Sequence, residues 1–235
     1  KWNGRLIEPK YTKDVSSSII KNKILELSST SNRVSRLKRL MDSKDITRIL
    51  ESHNALTGLI IENIKINNNK KNLEFDGMWS SSLTDSATKG LPDNSSLSFS
   101  ARINSLNDMM DVTTKPVVFD ADNGGQIEHL PFLIRSLERS GASAIIMEDK
   151  VGLKKNSLFK NQTGTKQDKP TLFAKKIKKI CNTRQSQDFM VIARIESFIV
   201  GKGLKDALHR AEIYSKAGAD AILIHSKEKT PSEIF

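Results

Sequence analysis

The sequence predicts an α/β protein with a parallel sheet, because short apolar runs alternate with longer segments of helical periodicity and a polar group follows each run. Gly141 and Gly218 stand just beyond two of the helical segments, where a left-handed cap favours glycine. The runs predicted as strands are 46–51, 73–79, 116–120, 144–148, 189–194 and 221–224. The segments predicted as helices are 56–64, 98–110, 127–140, 171–183 and 204–217.

The composition of the 235-residue chain is that of one folded domain, with 37% hydrophobic and 28% charged residues. Cys181 is the only cysteine, so a disulfide framework is excluded and core packing is its expected role. No apolar run approaches the roughly 18 residues that cross a bilayer, and the first twenty residues lack the apolar stretch of a signal peptide. We therefore expect a cytoplasmic protein with no membrane partner.

The net charge of +11 raises the question of nucleic-acid binding, since a clustered basic face attracts phosphate backbones. The basic residues are instead scattered over helical segments, as between Arg33 and Arg39, and no aromatic residues are interleaved with them. We expect no nucleic-acid partner.

Polar side chains follow all six predicted strands. The carboxyl ends of parallel strands lie at one edge of a sheet, where α/β barrels and open doubly wound sheets hold their active sites. We therefore expect these polar side chains to meet at one rim. The groups are 51–54, 79–82, 120–125, 148–150, 194–197 and 225–227.

Asp120 and Asp122 are the first candidates for a metal site. Two residues apart on an extended chain they point to the same side, and two such carboxylates repel each other unless a cation or proton lies between them. With Glu148 from the next strand they form an all-oxygen set suited to Mg²⁺, and the lack of nearby Cys or His ligands argues against zinc. A surface aspartate pair is the alternative.

Arg194, Glu196 and His225 have simpler alternatives as well. Arg194 and Glu196 have the same two-residue spacing and could serve only as an ion pair at the rim. His225 follows an apolar run, so a buried histidine with satisfied hydrogen bonds is the alternative to a functional one.

From about Arg36 to the C-terminus these motifs resemble the phosphoenolpyruvate mutase branch of the isocitrate lyase superfamily. The most specific motif is Glu148-Asp149-Lys150 followed after five residues by Asn156-Ser157. Lyases of the superfamily carry a catalytic cysteine in that loop, which this chain lacks. The other matching motifs are Ser52-His53-Asn54, Asp76-Gly77-Met78-Trp79, Asp120-Ala121-Asp122, Ala193-Arg194-Ile195-Glu196-Ser197-Phe198, Gly218-Ala219-Asp220-Ala221 and His225-Ser226-Lys227.

The resemblance implies a (β/α)8 TIM-type barrel that interconverts phosphoenolpyruvate and phosphonopyruvate with Mg²⁺. Asp120 would bind the metal, and Asp122 and Glu148 would hold its water ligands. The residues implied at the substrate's pyruvyl end are Trp79, Ser81 and the backbone N–H groups of Ser82 and Leu83. Those implied at the phosphoryl group are Arg194, His225 and Asn156, with Glu196 also assigned to the substrate site. Lys154, Ser157 and Leu158 would belong to a gating loop within 152–169, and Asp93 would lie close to the reacting centre.

The chain departs from the family pattern in its extent and in one motif. The family's Trp-Gly-Ser-Gly-Leu is here Trp79-Ser80-Ser81-Ser82-Leu83, so serine replaces two glycines. Only six of eight barrel strands are predicted, so we expect a barrel domain over 31–235 that is truncated after the sixth strand. Residues 1–30 would form an extension of unknown role. We expect a longer natural chain that assembles into a homo-oligomer, and poor solubility for residues 1–235 alone.

Two enzyme activities follow from the resemblance, and a non-enzymatic class is the alternative to them. The first is a phosphoenolpyruvate mutase for phosphonate biosynthesis, whose product a downstream decarboxylase or aminotransferase would consume. The second is a phosphonopyruvate hydrolase, in which water takes the phosphoryl group. A non-catalytic barrel or a basic nucleic-acid binder is the third possibility, against which the intact candidate residues argue.

Overall fold

The computed structural model describes residues 29–68, 71–152, 154–155, 157, 165–230, 232 and 234. The helices are α1 (Thr30–Ser43), α2 (Ala55–Asn63), α3 (Ser82–Thr88), α4 (Phe99–Val112), α5 (Leu130–Ser140), α6 (Pro170–Cys181) and α7 (Gly203–Lys216). The strands are β1 (Ile49–Ser52), β2 (Ile66–Asn68), β3 (Lys71–Leu73), β4 (Gly77–Ser80), β5 (Val117–Asp120), β6 (Ala144–Glu148), β7 (Lys150–Val151), β8 (Lys166–Gln167), β9 (Met190–Ile195) and β10 (Ala221–Ile224).

Six strands form one sheet in the order β1-β4-β5-β6-β9-β10, and every neighbouring pair is parallel. At least one helix separates each pair along the chain, as parallel strands require a crossover connection. The predicted α/β class is confirmed. Among the described residues β1 and β10 each pair on one side only, so the sheet is a half-barrel that does not close.

Apolar side chains pack on both faces of this sheet. Val118, Ile146 and Met190 form a small cluster on the inner face with Leu37 of α1, whereas the larger cluster lies between the sheet and the helices. Ser143, which immediately precedes β6, donates its hydroxyl to the Arg33 carbonyl of α1 at 2.6 Å. Helix α1 therefore lies at the amino ends of the strands and leaves their carboxyl ends free for a site.

The predicted strand over 73–79 is wrong in its first half. Residues 66–68 and 71–73 form the antiparallel pair β2–β3, and β4 begins only at Gly77. Asp76 immediately precedes β4. Its carboxylate accepts hydrogen bonds from the Arg48 N–H at 2.8 Å and from the Lys44 ammonium. The first strand is likewise shifted, from the predicted 46–51 to Ile49–Ser52.

Two helices were not among the predicted segments, and one predicted helix is too long. Helix α1 begins after Ser29, whose hydroxyl accepts the Asn32 N–H, and α3 is a short polar helix directly after β4. Helix α5 begins at Leu130 rather than at 127, with a proline in its first turn. The predicted glycine caps are confirmed, with φ of 83° at Gly141 and 106° at Gly218.

The predicted long loop after β6 is anchored by a short ladder. Lys150 and Val151 of β7 pair with Gln167 and Lys166 of β8, which brings the two ends of the loop together. The predicted site residues Asn156 and Leu158 lie outside the described residues, as do residues 1–28 of the predicted extension over 1–30. In the part of the chain that is described, no helix is long and apolar enough to span a membrane.

The packing of α5 on the sheet predicts a large cost for truncating Leu137, which is fully buried in the main cluster. Leu137→Ala should lower the free energy of unfolding by about 2–5 kcal/mol, because it leaves a cavity in a closely packed core. The matched control is Leu208→Ala on α7, where the side chain is 61% exposed and the expected change is within about 0.5 kcal/mol. Urea unfolding followed by circular dichroism measures both, and equal losses would refute this packing.

Candidate active site

A cavity of about 130 Å³ opens at the carboxyl ends of the sheet strands. Among the described residues, those that line it are Trp79, Ser81, Ser82, Leu83, Asp93, Asp120, Lys154, Ser157, Arg194 and His225. Each of these residues belongs to the site set that the sequence predicts. The structure thus brings together side chains from four strand ends, from the α3–α4 connection and from the loop after β7.

Asp120 and Asp122 approach each other through a turn rather than through strand alternation. Strand β5 ends at Asp120, and Asp122 has a φ of 51°, so the extended geometry predicted for the pair is wrong. One oxygen of Asp120 accepts the Asp122 N–H at 2.9 Å, and the other accepts the Ser82 hydroxyl at 3.3 Å. Both carboxylates are buried, which excludes the alternative of a surface pair.

Lys154 supplies the positive charge next to this pair. Its Nζ lies 2.5 Å from Oδ1 of Asp122 and 3.1 Å from Oδ1 of Asp93, and it also donates to the Ser82 hydroxyl. Burial alone would lower the pKa of Lys154, but the charges of Asp120 and Asp122 raise it to about 12. Burial would raise the pKa of Asp120, yet the charges of Lys154, Arg102 and Arg194 lower it below its ordinary value.

Glu196 is buried behind the cavity wall and contacts three of the residues that line the cavity. It accepts the Arg194 Nε–H at 2.5 Å and lies 2.8 Å from Nδ1 of His225. Burial opposes its charge, but the hydrogen bond from His225 and the charge of Arg194 lower its pKa below the ordinary value. Glu196 was predicted to bind substrate, whereas the structure places it fully buried behind Arg194 and His225, which themselves line the cavity. Glu196 therefore contacts Arg194 and His225, and its role in binding substrate stays a prediction.

Glu148 is the third predicted metal residue and is almost fully buried. Its Oε2 lies 3.0 Å from Nη2 of Arg194 and 3.3 Å from Nζ of Lys150, but it accepts no hydrogen bond. Burial raises the pKa of Glu148 to about 7, although Arg194 and Lys150 act in the opposite direction. A nearby cation, or a hydrogen bond from an ordered water, would stabilise the charged form of this buried carboxylate.

The carboxylates are not arranged as a closed metal cage. Among the described residues, no group of three or more His, Cys, Asp or Glu side chains is positioned to hold an ion directly. Mg²⁺, however, keeps several of its waters and often takes only one or two protein carboxylates. Asp120 in the cavity wall and Oε2 of Glu148, which accepts no hydrogen bond, fit such a hydrated ion because both supply hard oxygen donors.

Lys150 connects part of the loop after β7 to Glu196. Its Nζ donates to the Ser157 hydroxyl at 2.7 Å, and that hydroxyl donates to Oε2 of Glu196 at 2.8 Å. No role of its own was predicted for Lys150, although it stands in the same motif as Glu148. Its position in that motif was the available signal.

The two serines that replace the family's glycines are both accommodated. Ser80 is fully buried and directs its hydroxyl to Oδ2 of Asp85 at 3.3 Å, away from the cavity. Ser82 lines the cavity and joins Asp120 to Lys154. The added hydroxyls therefore take part in the polar network instead of obstructing it.

Residues 37–235 match the family model for phosphoenolpyruvate phosphomutase. A phosphoenolpyruvate phosphomutase of Tetrahymena pyriformis is 38% identical over 218 residues, which cover 92% of this chain and 69% of the relative. A phosphonopyruvate hydrolase of Variovorax sp. (strain Pal2) is 35% identical over 202 residues, covering 85% of this chain and 66% of the relative.

Solved structures agree with the sequence relatives. Phosphoenolpyruvate phosphomutase from Streptomyces platensis subsp. rosaceus has a TM-score of 0.77 at 35% identity and covers 86% of this chain and 67% of its own. Phosphonopyruvate hydrolase in complex with oxalate and Mg²⁺ has a TM-score of 0.73 at 32% identity, covering 86% and 66%. These matches define a barrel enzyme of the phosphoenolpyruvate mutase/isocitrate lyase superfamily. Within it, the chain belongs to the phosphoenolpyruvate phosphomutase family and spans about two thirds of these relatives' length.

The lowered pKa of Glu196 predicts a pH-dependent contribution to stability. A carboxyl whose pKa is lower in the folded state contributes fully above its unfolded pKa, and the contribution is lost as the pH falls towards the folded value. Glu196→Gln should therefore lower the free energy of unfolding by about 3 kcal/mol at neutral pH, the scale for breaking a buried ion pair.

The difference between Glu196→Gln and wild type should narrow below a pH of about 4.5. Urea titrations at a series of pH values measure it. The control is Glu212→Gln, whose exposed partner is Lys216 and which should have little effect. A difference that widens on acidification would contradict the assigned charge state.

Proposed function

We propose that the full-length protein is a Mg²⁺-dependent phosphoenolpyruvate mutase, which moves a phosphoryl group between the enol oxygen and C3 of one molecule. The observation that carries the proposal is that two separately connected polar groups line the cavity. Ser82 and Lys154 connect Asp120 to Asp93, and Glu196 connects Arg194 to His225. This arrangement suits a substrate with a metal-binding carboxylate at one end and a phosphoryl group at the other.

The phosphoryl side needs positioning more than covalent chemistry, because phosphoryl transfer passes through a loose, metaphosphate-like state. Glu196 and Glu148 hold Arg194 in place, and the remaining N–H groups of its guanidinium can grip phosphoryl oxygens. Glu196 faces Nδ1 of His225, so Nε2 is the ring nitrogen left to face the substrate, and it can donate there when the ring carries both protons. Asn156 is proposed as a further donor from the resemblance.

The pyruvyl side is proposed to combine Asp120 with the turn after β4. Asp120 would be the direct Mg²⁺ ligand, and Asp122 and Glu148 would hold waters. Bound Mg²⁺ would offset the negative charge of the substrate's carboxylate and enolate oxygens. The relative whose structure contains oxalate and Mg²⁺ supports a requirement for Mg²⁺. Ser81 and Leu83 would hold the carboxylate against Trp79.

Exclusion of water decides between the two enzyme activities. A transferring phosphoryl group hydrolyses if water reaches it, so the residues over the cavity must keep it dry. Lys154 and Ser157 are buried here, fixed to Asp122 and Glu196 respectively. We propose that they close the cavity during transfer.

Phosphonopyruvate hydrolase is the second candidate, favoured by the 35% identical relative. In that reaction water attacks phosphorus and the carbon–phosphorus bond breaks, giving pyruvate and inorganic phosphate. The mutase proposal further implies a downstream decarboxylase or aminotransferase that removes phosphonopyruvate. We also propose that the full-length protein acts in the cytoplasm as a homo-oligomer.

The metal assignment predicts that Asp120→Ala lowers Mg²⁺-dependent turnover by about 10³-fold or more, since a metal ion supplies several kcal/mol of charge stabilisation. The variant should remain folded, because Asp120 lies at the carboxyl end of β5, outside the apolar clusters. Asp122→Ala is the matched comparison and should be milder, since Asp122 is proposed to act through a water. Near-wild-type turnover of Asp120→Ala in excess Mg²⁺ would overturn the assignment.

Products distinguish the mutase from the hydrolase. Wild-type protein incubated with phosphonopyruvate and Mg²⁺ should give phosphoenolpyruvate with little inorganic phosphate, as followed by phosphorus NMR. Asn156→Ala should lower turnover by roughly 10²-fold, the scale for losing one preorganised donor. Pyruvate and phosphate as main products would favour the hydrolase.

A further inference from the structure

Arg102 on α4 is buried beneath the cavity without lining it. Its guanidinium makes three directed hydrogen bonds. Nε donates to Oδ2 of Asp85 at 2.9 Å, Nη1 to the Asp120 carbonyl at 2.5 Å and Nη2 to the Ser80 carbonyl at 3.3 Å. The guanidinium carbon also lies 4.4 Å from the ring centroid of Phe119.

The two carbonyls that Arg102 holds belong to the last residues of neighbouring parallel strands, β4 and β5. Substrate-binding groups follow each of them, with the Ser81–Leu83 turn after Ser80 and the carboxylate of Asp120 itself. A planar guanidinium fixes the separation of its acceptors, which a flexible ammonium does not. Arg102 thus joins the two halves of the proposed pyruvyl site.

Asp85 completes the arrangement from α3. Its Oδ2 accepts both Arg102 and the Ser80 hydroxyl, so the helix that begins with Ser82 is tied to the same guanidinium. Both partners are fully buried, with side-chain exposures of 1% and 0%. A buried ion pair is weak support for stability, because apolar residues of similar volume often replace it without loss. Stabilisation of the fold alone therefore does not explain the buried pair of Arg102 and Asp85.

We propose that Arg102, oriented by Asp85, is a positioning residue that fixes Asp120 relative to the Ser81–Leu83 turn. The inference rests on the proposed function of that site. It assigns to the Arg102–Asp85 pair the alignment of the metal-binding carboxylate with the groups that hold the substrate's carboxylate. Misplacement of reacting groups by about 1 Å can cost roughly 10²-fold in rate.

Two variants separate positioning from charge and from folding. Arg102→Lys keeps the positive charge near Asp120 but loses the fork that holds two carbonyls. The double variant Arg102→Met/Asp85→Leu removes the pair and keeps an apolar filling of similar volume. The matched control is Arg184→Met/Asp220→Leu, which removes the 2.6 Å ion pair between the residues that precede β9 and β10.

Binding of Mg²⁺ with oxalate, measured by calorimetry on the full-length protein, tests alignment without turnover. Both Arg102 variants should bind this probe at least about 10-fold more weakly and lower kcat by roughly 10²-fold, while the melting temperature stays close to that of the control. Wild-type probe affinity in either Arg102 variant would overturn the proposal, as would losses that only follow the unfolded fraction. Failure of the proposed function would appear separately, as wild-type protein that binds the probe without converting phosphonopyruvate.

Discussion

Several carboxylates are buried together at the carboxyl ends of the sheet, and a buried charge must be paired to persist. Asp120, Asp122, Glu148 and Glu196 all lie below one tenth exposed on three neighbouring strand ends. Their partners are Lys154, Arg194 and Lys150, each fixed by two or more contacts. The need to pair these buried carboxylates accounts for the positions of the basic residues at the rim.

The loop after β7 contributes to the site because of that requirement. Neither Lys154 nor Ser157 belongs to a strand or helix, yet both are buried because the rim supplies acceptors for them. The β7–β8 ladder brings the loop ends together, and Asp149 at its base is fully buried with bonds from Arg210, Tyr214 and Gln167. Strand order, loop anchoring and the charged rim are therefore one connected structure.

The residue patterns predicted the structural features that depend on residues close together in the chain. Apolar runs with polar ends located the sheet and Asp120, and Gly141 marked a real cap. Asp93 follows no strand and was reached only through the family resemblance. The φ of Asp122 and the role of Arg102 could not be predicted, because the first is set by a turn and the second by carbonyls that lie 18 and 22 residues away in the chain. Helix α1 was missed although it packs Leu37 against the sheet.

Asp120 is proposed here as the direct oxygen ligand of a hydrated Mg²⁺ at this rim. The most direct test is the Mg²⁺–oxygen distance in crystals of the full-length protein grown with Mg²⁺ and oxalate. We predict an Asp120 carboxylate oxygen at about 2.1 Å from the ion, with Asp122 and Glu148 reaching it through waters. An ion bound elsewhere, or one coordinated directly by Asp122 or Glu148 with Asp120 apart from it, would contradict the account.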